Sequence, residues 1–139
     1  MNSFSLFSAM EISASGLSAQ RIRMNVIARN IANAQTTHAP KGGPYRRKEV
    51  VFASILDDVG KEQGVRVMGT FTDPSPFNIV YDPAHPDADP QGYVKMPNVN
   101  VILEMIDMIS ATRAYEANIT AFKSAQNMAL KALEIARRY

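Results

Sequence analysis

Apolar residues recur at helical spacing near both ends of the chain, and the proline and most of the glycine fall between them. In the first segment Met10, Leu17, Met24 and Ile31 repeat every seven residues, with Phe7, Ala14 and Ala28 on the interleaved row and Arg21 interrupting it. In the last, Met105, Thr112, Ile119, Gln126 and Leu133 form one row and Met108, Tyr115, Phe122, Ala129 and Ala136 the other. Such heptads give a helix a seam along which a second helix packs. Gly16 costs the first helix about 1 kcal/mol relative to Ala, too little to end it. The pattern predicts one long helix from Phe4 to Ala34 and a second after Pro97. Joined through the middle of the chain, the two run antiparallel. That places Ile31 near Ile102 and Met105, Met24 near Met108 or Thr112, Leu17 near Tyr115 or Ile119, and Met10 near Phe122.

The middle reads differently. Residues Gln35 to Pro44 carry Pro40, Gly42, Gly43 and Pro44, which end any helix. Tyr45 to Ile55 reads as a strand centred on Val50, Val51 and Phe52, and a turn-rich stretch from Asp57 to Gly64 follows it. Val65, Val67, Gly69 and Phe71 then alternate with Arg66, Met68 and Thr70, a period-two strand expected to pair with the first. Pro74, Pro76, Pro83, Pro86, Pro90 and Pro97 favour extended irregular chain. Phe77, Ile79 and Tyr81 are expected to lie across the small sheet. The expected fold class is α+β, with long N- and C-terminal helices paired as an antiparallel coiled coil and a small β-rich middle domain. The boundaries are residues 1–35, 36–98 and 99–139.

A middle segment of about 60 residues is marginal as an independent core, so it leans on neighbours. Ile102, Ile106, Ile109, Met128, Leu130 and Ile135 lie off the seam of the last helix, and one narrow helix pair cannot cover them. The polar face of the first helix, with Ser13, Ser15, Ser18, Gln20 and Asn25, is small rather than strongly charged, which suits close packing against protein. Assembly with other subunits is the reading. The seam residues Met10, Leu17, Met24, Ile31, Met105, Met108, Tyr115, Ile119 and Phe122 are its candidate interface.

Composition narrows the chemistry. A hydrophobic content of 46% with 20% charged residues describes an ordered chain, and a net charge of +2, spread evenly along it, offers no polybasic arm for nucleic acid. The absence of cysteine excludes disulfides, thiolate zinc sites and cysteine nucleophiles. Met1 to Ala9 is broken by Asn2, Ser3, Ser5 and Ser8, so no cleaved signal is expected there. No apolar run approaches the ~20 residues of a membrane span. The loop with Asp82, His85, Asp87 and Asp89 could be imagined to hold a hard cation, but Asp beside Pro ordinarily starts turns. His38 has no carboxylate nearby in sequence to make it a base, no serine sits in a G-x-S-x-G setting, and Gly42-Gly43 lacks the spacing of a phosphate loop. Arg46, Arg47 and Lys48 read as a solvated or interface charge cluster. No catalytic residue, metal or cofactor is expected.

Two further motifs carry a resemblance. Asn30-Ile31-Ala32-Asn33-Ala34 followed by Thr36-Thr37 resembles the N-terminal signature of the bacterial flagellar axial family of rod, hook and hook-associated proteins, and Arg113-Ala114-Tyr115-Glu116-Ala117-Asn118 resembles the C-terminal one. The short middle, the run Gly42-Gly43-Pro44-Tyr45-Arg46-Arg47-Lys48 and the run from Tyr81-Asp82-Pro83 through Gly92 to Asn100 are similar to the proximal rod members. Arg29 departs from the small or polar residue usual in relatives. The resemblance implies a structural subunit of the periplasm-spanning basal-body rod, not an enzyme. It would be exported unprocessed by the flagellar type III apparatus and would polymerise through its terminal helices into a hollow, torque-transmitting shaft. It adds Asn30, Asn33, Glu116 and Asn118 to the candidate interface. Implied partners are copies of the chain itself, other proximal rod proteins, the distal rod protein and the adaptor joining rod to membrane ring. Heptads alone also fit a cytoplasmic coiled-coil adaptor.

Overall fold

The computed structural model describes residues 3–40, 42–56, 60 and 62–137. Two long helices, α1 (Ser3–Ala32) and α2 (Val101–Ala136), enclose four strands: β1 (Lys48–Leu56), β2 (Glu62–Thr72), β3 (Asn78–Tyr81) and β4 (Tyr93–Met96). The class is α+β, as expected from the sequence. Among the described residues no helix is long and apolar enough to cross a membrane.

Side-chain chemistry sets the helix ends. Asn33 stops α1 by donating its side-chain amide to the Arg29 carbonyl at 2.8 Å, while the Thr36 hydroxyl donates to Asn33 Oδ1 at 3.2 Å. At the start of α2, Asn100 stands as N-cap in extended backbone and its Oδ1 accepts from the amides of Ile102 and Leu103. That satisfies donors that a helix end otherwise leaves unpaired.

The helices run antiparallel in the register the heptads predict. Asn30 meets Glu104 near one end, the Thr112 hydroxyl lies 3.7 Å from Met24 Sδ, and Gly16 faces Asn118 further along. Gly16 is there for proximity: a Cβ on it would stand 2.8 Å from Asn118 Oδ1. Gly16→Leu is therefore expected to cost about 1–3 kcal/mol in urea unfolding by forcing the helices apart. Gly16→Ala, where a gain in helix propensity offsets a shift of the Asn118 amide, should stay near neutral.

The buried rows differ from the heptad rows on α1. Met10, Leu17, Met24 and Ile31 are half-buried, but Phe7, Ala14 and Ala28 are exposed, while Ser13, Ala19, Val26, Ile27 and Asn30 are buried. The cause is a second partner. The β1–β2 hairpin also packs on α1, so the buried arc turns away from the seam toward a face shared by α2 and the hairpin. The hairpin is fastened there by the Val65 amide, which donates to Ser15 Oγ at 3.0 Å. Gly64, at φ 137°, lets the backbone come that close, since a Cβ would collide with Ser15. On α2 the buried positions are Glu104, Ala111 and Ala125, with Met108, Thr112, Tyr115, Ile119, Phe122 and Ala129 half-buried. Met105 and Leu133, expected on the seam, are exposed.

The middle is β-rich as expected, but among the described residues it forms two separate two-stranded antiparallel sheets rather than one. β1 and β2 pair from Lys48↔Thr72 to Leu56↔Glu62, with a bulge after Val51. The second strand thus begins at Glu62, inside the turn expected over Asp57–Gly64, of which residues 57–59 and 61 lie outside the described residues. Ile79 and Tyr81 do not lie across that sheet. They belong to β3, which pairs with β4, and both are exposed. The proline-rich chain brings its own partner strand, with Tyr81 and Tyr93 edge-to-face at 5.2 Å.

Candidate assembly interface

Asn30, from the N-terminal signature, is 1% exposed and sits at the meeting point of α1, α2 and the hairpin. Its amide grips one residue of backbone in both directions: Nδ2 donates to the Lys48 carbonyl at 2.8 Å, and Oδ1 accepts from the Lys48 amide at 3.0 Å. The second Nδ2 proton goes to Glu104 Oε2 at 2.9 Å, and the Tyr45 hydroxyl donates to Oδ1 at 2.9 Å. Two donors and two acceptors are all that an asparagine side chain has, and all are used. Asn30 therefore holds the subunit together from inside, with every polar group of its side chain spent on this chain.

Glu104 is the other end of this junction. It is 1% exposed, and a carboxylate that buried requires a cation. Arg47 supplies it, with Nε at 2.5 Å from Oε1. The same guanidinium also meets Glu49 and lies 3.6 Å from Asp73 and 3.7 Å from Asp107, which in turn reaches Arg23 on α1 at 3.6 Å. Burial alone would lower the Arg47 pKa, but its hydrogen bonds to Glu104 and Glu49 outweigh that and raise it. The Arg47 amide donates to Asn98 Oδ1 at 2.8 Å, which ties the segment before α2 to the segment before β1. The middle residue of the Arg46-Arg47-Lys48 run is thus the hub of an internal network and not a solvated charge.

Tyr45 closes the junction from the linker side. Burial raises its phenol above the ordinary value, the Arg29 charge pulls the other way, and Glu104 raises it further. A raised folded pKa favours the protonated phenol, so its contribution to stability is complete below the unfolded value and is lost as pH rises through the folded one. In an alkaline titration followed by the tyrosinate absorption, Tyr45→Phe should remove a late-ionising component.

The acidic loop has its own internal uses. Asp82 Oδ1 accepts from the Ala84 amide, Asp89 Oδ1 accepts from the amides of Gln91 and Tyr93, and Asp87 Oδ2 accepts from the Thr37 hydroxyl at 2.7 Å. That last bond is the main cause holding the Asp87 carboxyl below its ordinary value. Among the described residues no three His, Asp or Glu side chains group to hold a metal ion.

Most of the remaining candidate residues face inward. Met10, Leu17, Met24, Ile31, Met108, Tyr115, Ile119 and Phe122 are half-buried, Asn118 donates to the Ala114 carbonyl beside Gly16, and Asn33 ends α1. Met105 and Glu116 are exposed. What α2 turns outward is a separate stripe, Ile102, Ile106 and Ile109, exposed at 70%, 56% and 55% on the side away from α1. Leu130 and Ile135 are exposed near the far end. Glu104, Arg47, Asp73 and Asn98 were not legible as site residues. The one available sign was an acid at position 104, on the same helix face as Met108 and Ala111.

Known proteins resemble the chain at both of its ends and over nearly its whole length. Residues 10–39 match the family model described as flagella basal body rod protein, and residues 91–135 match that of the flagellar basal body rod FlgEFG protein C-terminal. Flagellar basal-body rod protein FlgC of Borreliella burgdorferi is 47% identical, with 94% of this chain and 97% of the relative covered. FlgC of Bacillus subtilis is 44% identical over 94% and 98%, and FlgC of Salmonella typhimurium is 42% identical over 94% and 97%. Identity at this level across nearly the whole of both chains settles the family: the chain belongs to the FlgC family of flagellar basal-body rod proteins.

Proposed function

We propose that this chain is a structural subunit of the proximal rod, polymerising through its terminal helices into the hollow shaft that transmits torque. It is a component of the flagellar basal-body rod and not an enzyme. The observation that supports the mode of assembly is the outward stripe of Ile102, Ile106 and Ile109, apolar surface on a helix whose other side is already occupied by α1. Surface of this kind on a subunit marks a contact with another protein. In this reading residues 1–35 and 99–139 are the polymerising arms and residues 36–98 the lateral domain. The interface combines the candidate residues that pack the arm, from Met10 to Ile31 and from Met108 to Phe122, with the exposed Met105 and Glu116 and the stripe that meets neighbours.

The rod family implies assembly with other rod components. More specifically, the partners are copies of the chain, the other proximal rod proteins, the distal rod protein and the adaptor to the membrane ring, after passage through the flagellar type III export apparatus. A photo-crosslinking residue at Ile106, compared with one at the exposed polar position Lys123, tests the mode of assembly in intact cells. Crosslinks from position 106 to another rod subunit or to a second copy are expected. Crosslinks from position 123 alone would move the contact off the stripe and overturn the proposal.

A further inference from the structure

The run Arg46-Arg47-Lys48 divides its charges between two sides of the chain. Extended backbone alternates its side chains, so Arg47 turns into the Glu104 network while Arg46 and Lys48 turn the other way. On that other side lies a groove of about 550 Å³, lined by Pro44, Tyr45, Arg46, Lys48, Thr72 and Phe77. Its walls are apolar and aromatic. The Arg46 guanidinium stands 4.1 Å over the Phe77 ring, held by bonds from Nη1 to the carbonyls of Asp73 and Ser75, and Lys48 Nζ stands 6.0 Å from the Tyr45 ring. Among the described residues no carboxylate forms an ion pair with either cation, and no acidic residue lines the groove. The contrast with Arg47, which is surrounded by four carboxylates, is a property of the same three-residue run.

We infer that this groove docks an acidic segment of a partner protein, its carboxylates meeting Arg46 and Lys48 and an apolar side chain entering between Tyr45 and Phe77. Charge complementarity selects this occupant. Two cations beside an open aromatic cleft attract carboxylates, and a cation already stacked on a ring keeps its remaining N–H groups free to donate. The groove shares Tyr45 and Lys48 with the Asn30 junction but not Arg47 or Glu104, so occupancy needs no opening of the helix pair.

The test uses the full-length 15N-labelled chain and three short capped peptides: Ac-Glu-Phe-Glu-NH2, its charge-reversed form Ac-Lys-Phe-Lys-NH2, and Ac-Glu-Gly-Glu-NH2, which lacks the apolar anchor. Titration with the first should give saturating shifts at the amides of Gly43, Tyr45, Lys48 and Thr72, with little response to the other two. Lys48→Glu should bind the first peptide about tenfold more weakly, the effect of one or two exposed ion-pair contributions. Its other amide resonances should stay in place, because Asn30 grips the Lys48 backbone and not its side chain. Equal shifts from the lysine peptide, or none from the glutamate peptide, would overturn the inference. So would groove shifts that grow with protein concentration in the absence of peptide, which would give the groove to a second copy.

Discussion

Arg47→Ala is expected to destabilise the subunit by about 3–5 kcal/mol, the cost of leaving a buried carboxylate without its cation. Glu104 is 1% exposed, and once Arg47 is gone its remaining partner is the Asn30 amide. The reverse substitution is milder. In Glu104→Gln the Arg47 guanidinium, 21% exposed, keeps Glu49, Asp73 and Asp107, and the loss should be about 1–2 kcal/mol. The asymmetry is the content of the prediction, since an ion pair read only as two equal partners would lose the same amount from either side. Urea unfolding of the two variants decides it. Equal losses would mean that Glu104 finds solvent or another donor when Arg47 is removed. Against a total stability of roughly 5–15 kcal/mol for a domain, the larger figure is enough to unfold much of the population.

The network also explains which parts of the fold the sequence made legible. A heptad is a local and repetitive signal, and Met24 with Thr112 or Gly16 with Asn118 show that it carries the register of the helix pair as well as its existence. What it does not carry is how many partners one helix has. Phe7, Ala14 and Ala28 lie on a correct helical row, yet the hairpin draws the buried arc of α1 round to Ala19, Val26 and Asn30. The β3–β4 pair escaped because its strands have four residues each, too short for a period-two pattern to stand out among prolines. Asn30 was visible as part of a signature, but a motif does not say whether its residue faces inward or outward. Four hydrogen bonds answer that. Glu104 and Arg47 are 57 residues apart in sequence, and nothing local to either one announces the other.

Half of the buried residues described in the helix pair are small, namely Ser13, Ala19, Ala111 and Ala125, while Ile102, Leu103, Ile106 and Ile109 of α2 stand outside it. Small residues let the two helices approach closely, as Gly16 does against Asn118, and in the proposed assembly the outward isoleucines of α2 are left for neighbouring subunits. The clamp of Asn30 on Lys48 then fixes the arms relative to the β-rich segment, so that whatever the stripe contacts, the rest of the subunit follows with defined geometry. If the helices are the polymerising arms, as proposed, this junction is where a torque-transmitting subunit needs rigidity.

The double substitution Ile106→Asp with Ile109→Asp is expected to abolish incorporation into the rod while leaving the isolated subunit nearly as stable as before. Both side chains are more than half exposed, and changes at exposed positions away from caps and networks usually stay within about 0.5 kcal/mol each. In an assembled interface the same two carboxylates would be buried without cations, at about 3 kcal/mol or more apiece, which corresponds to a loss of about ten-thousandfold or more in the association constant. Ile106→Leu with Ile109→Leu keeps the apolar surface and should incorporate normally. Basal-body content and swimming, measured beside urea unfolding of the purified variants, separate the alternatives. If the aspartate variant unfolds early, the stripe belongs to the subunit's own core. If it is stable and still enters basal bodies at the normal level, the rod is held by another face of the chain, and the outward isoleucines are not the contact.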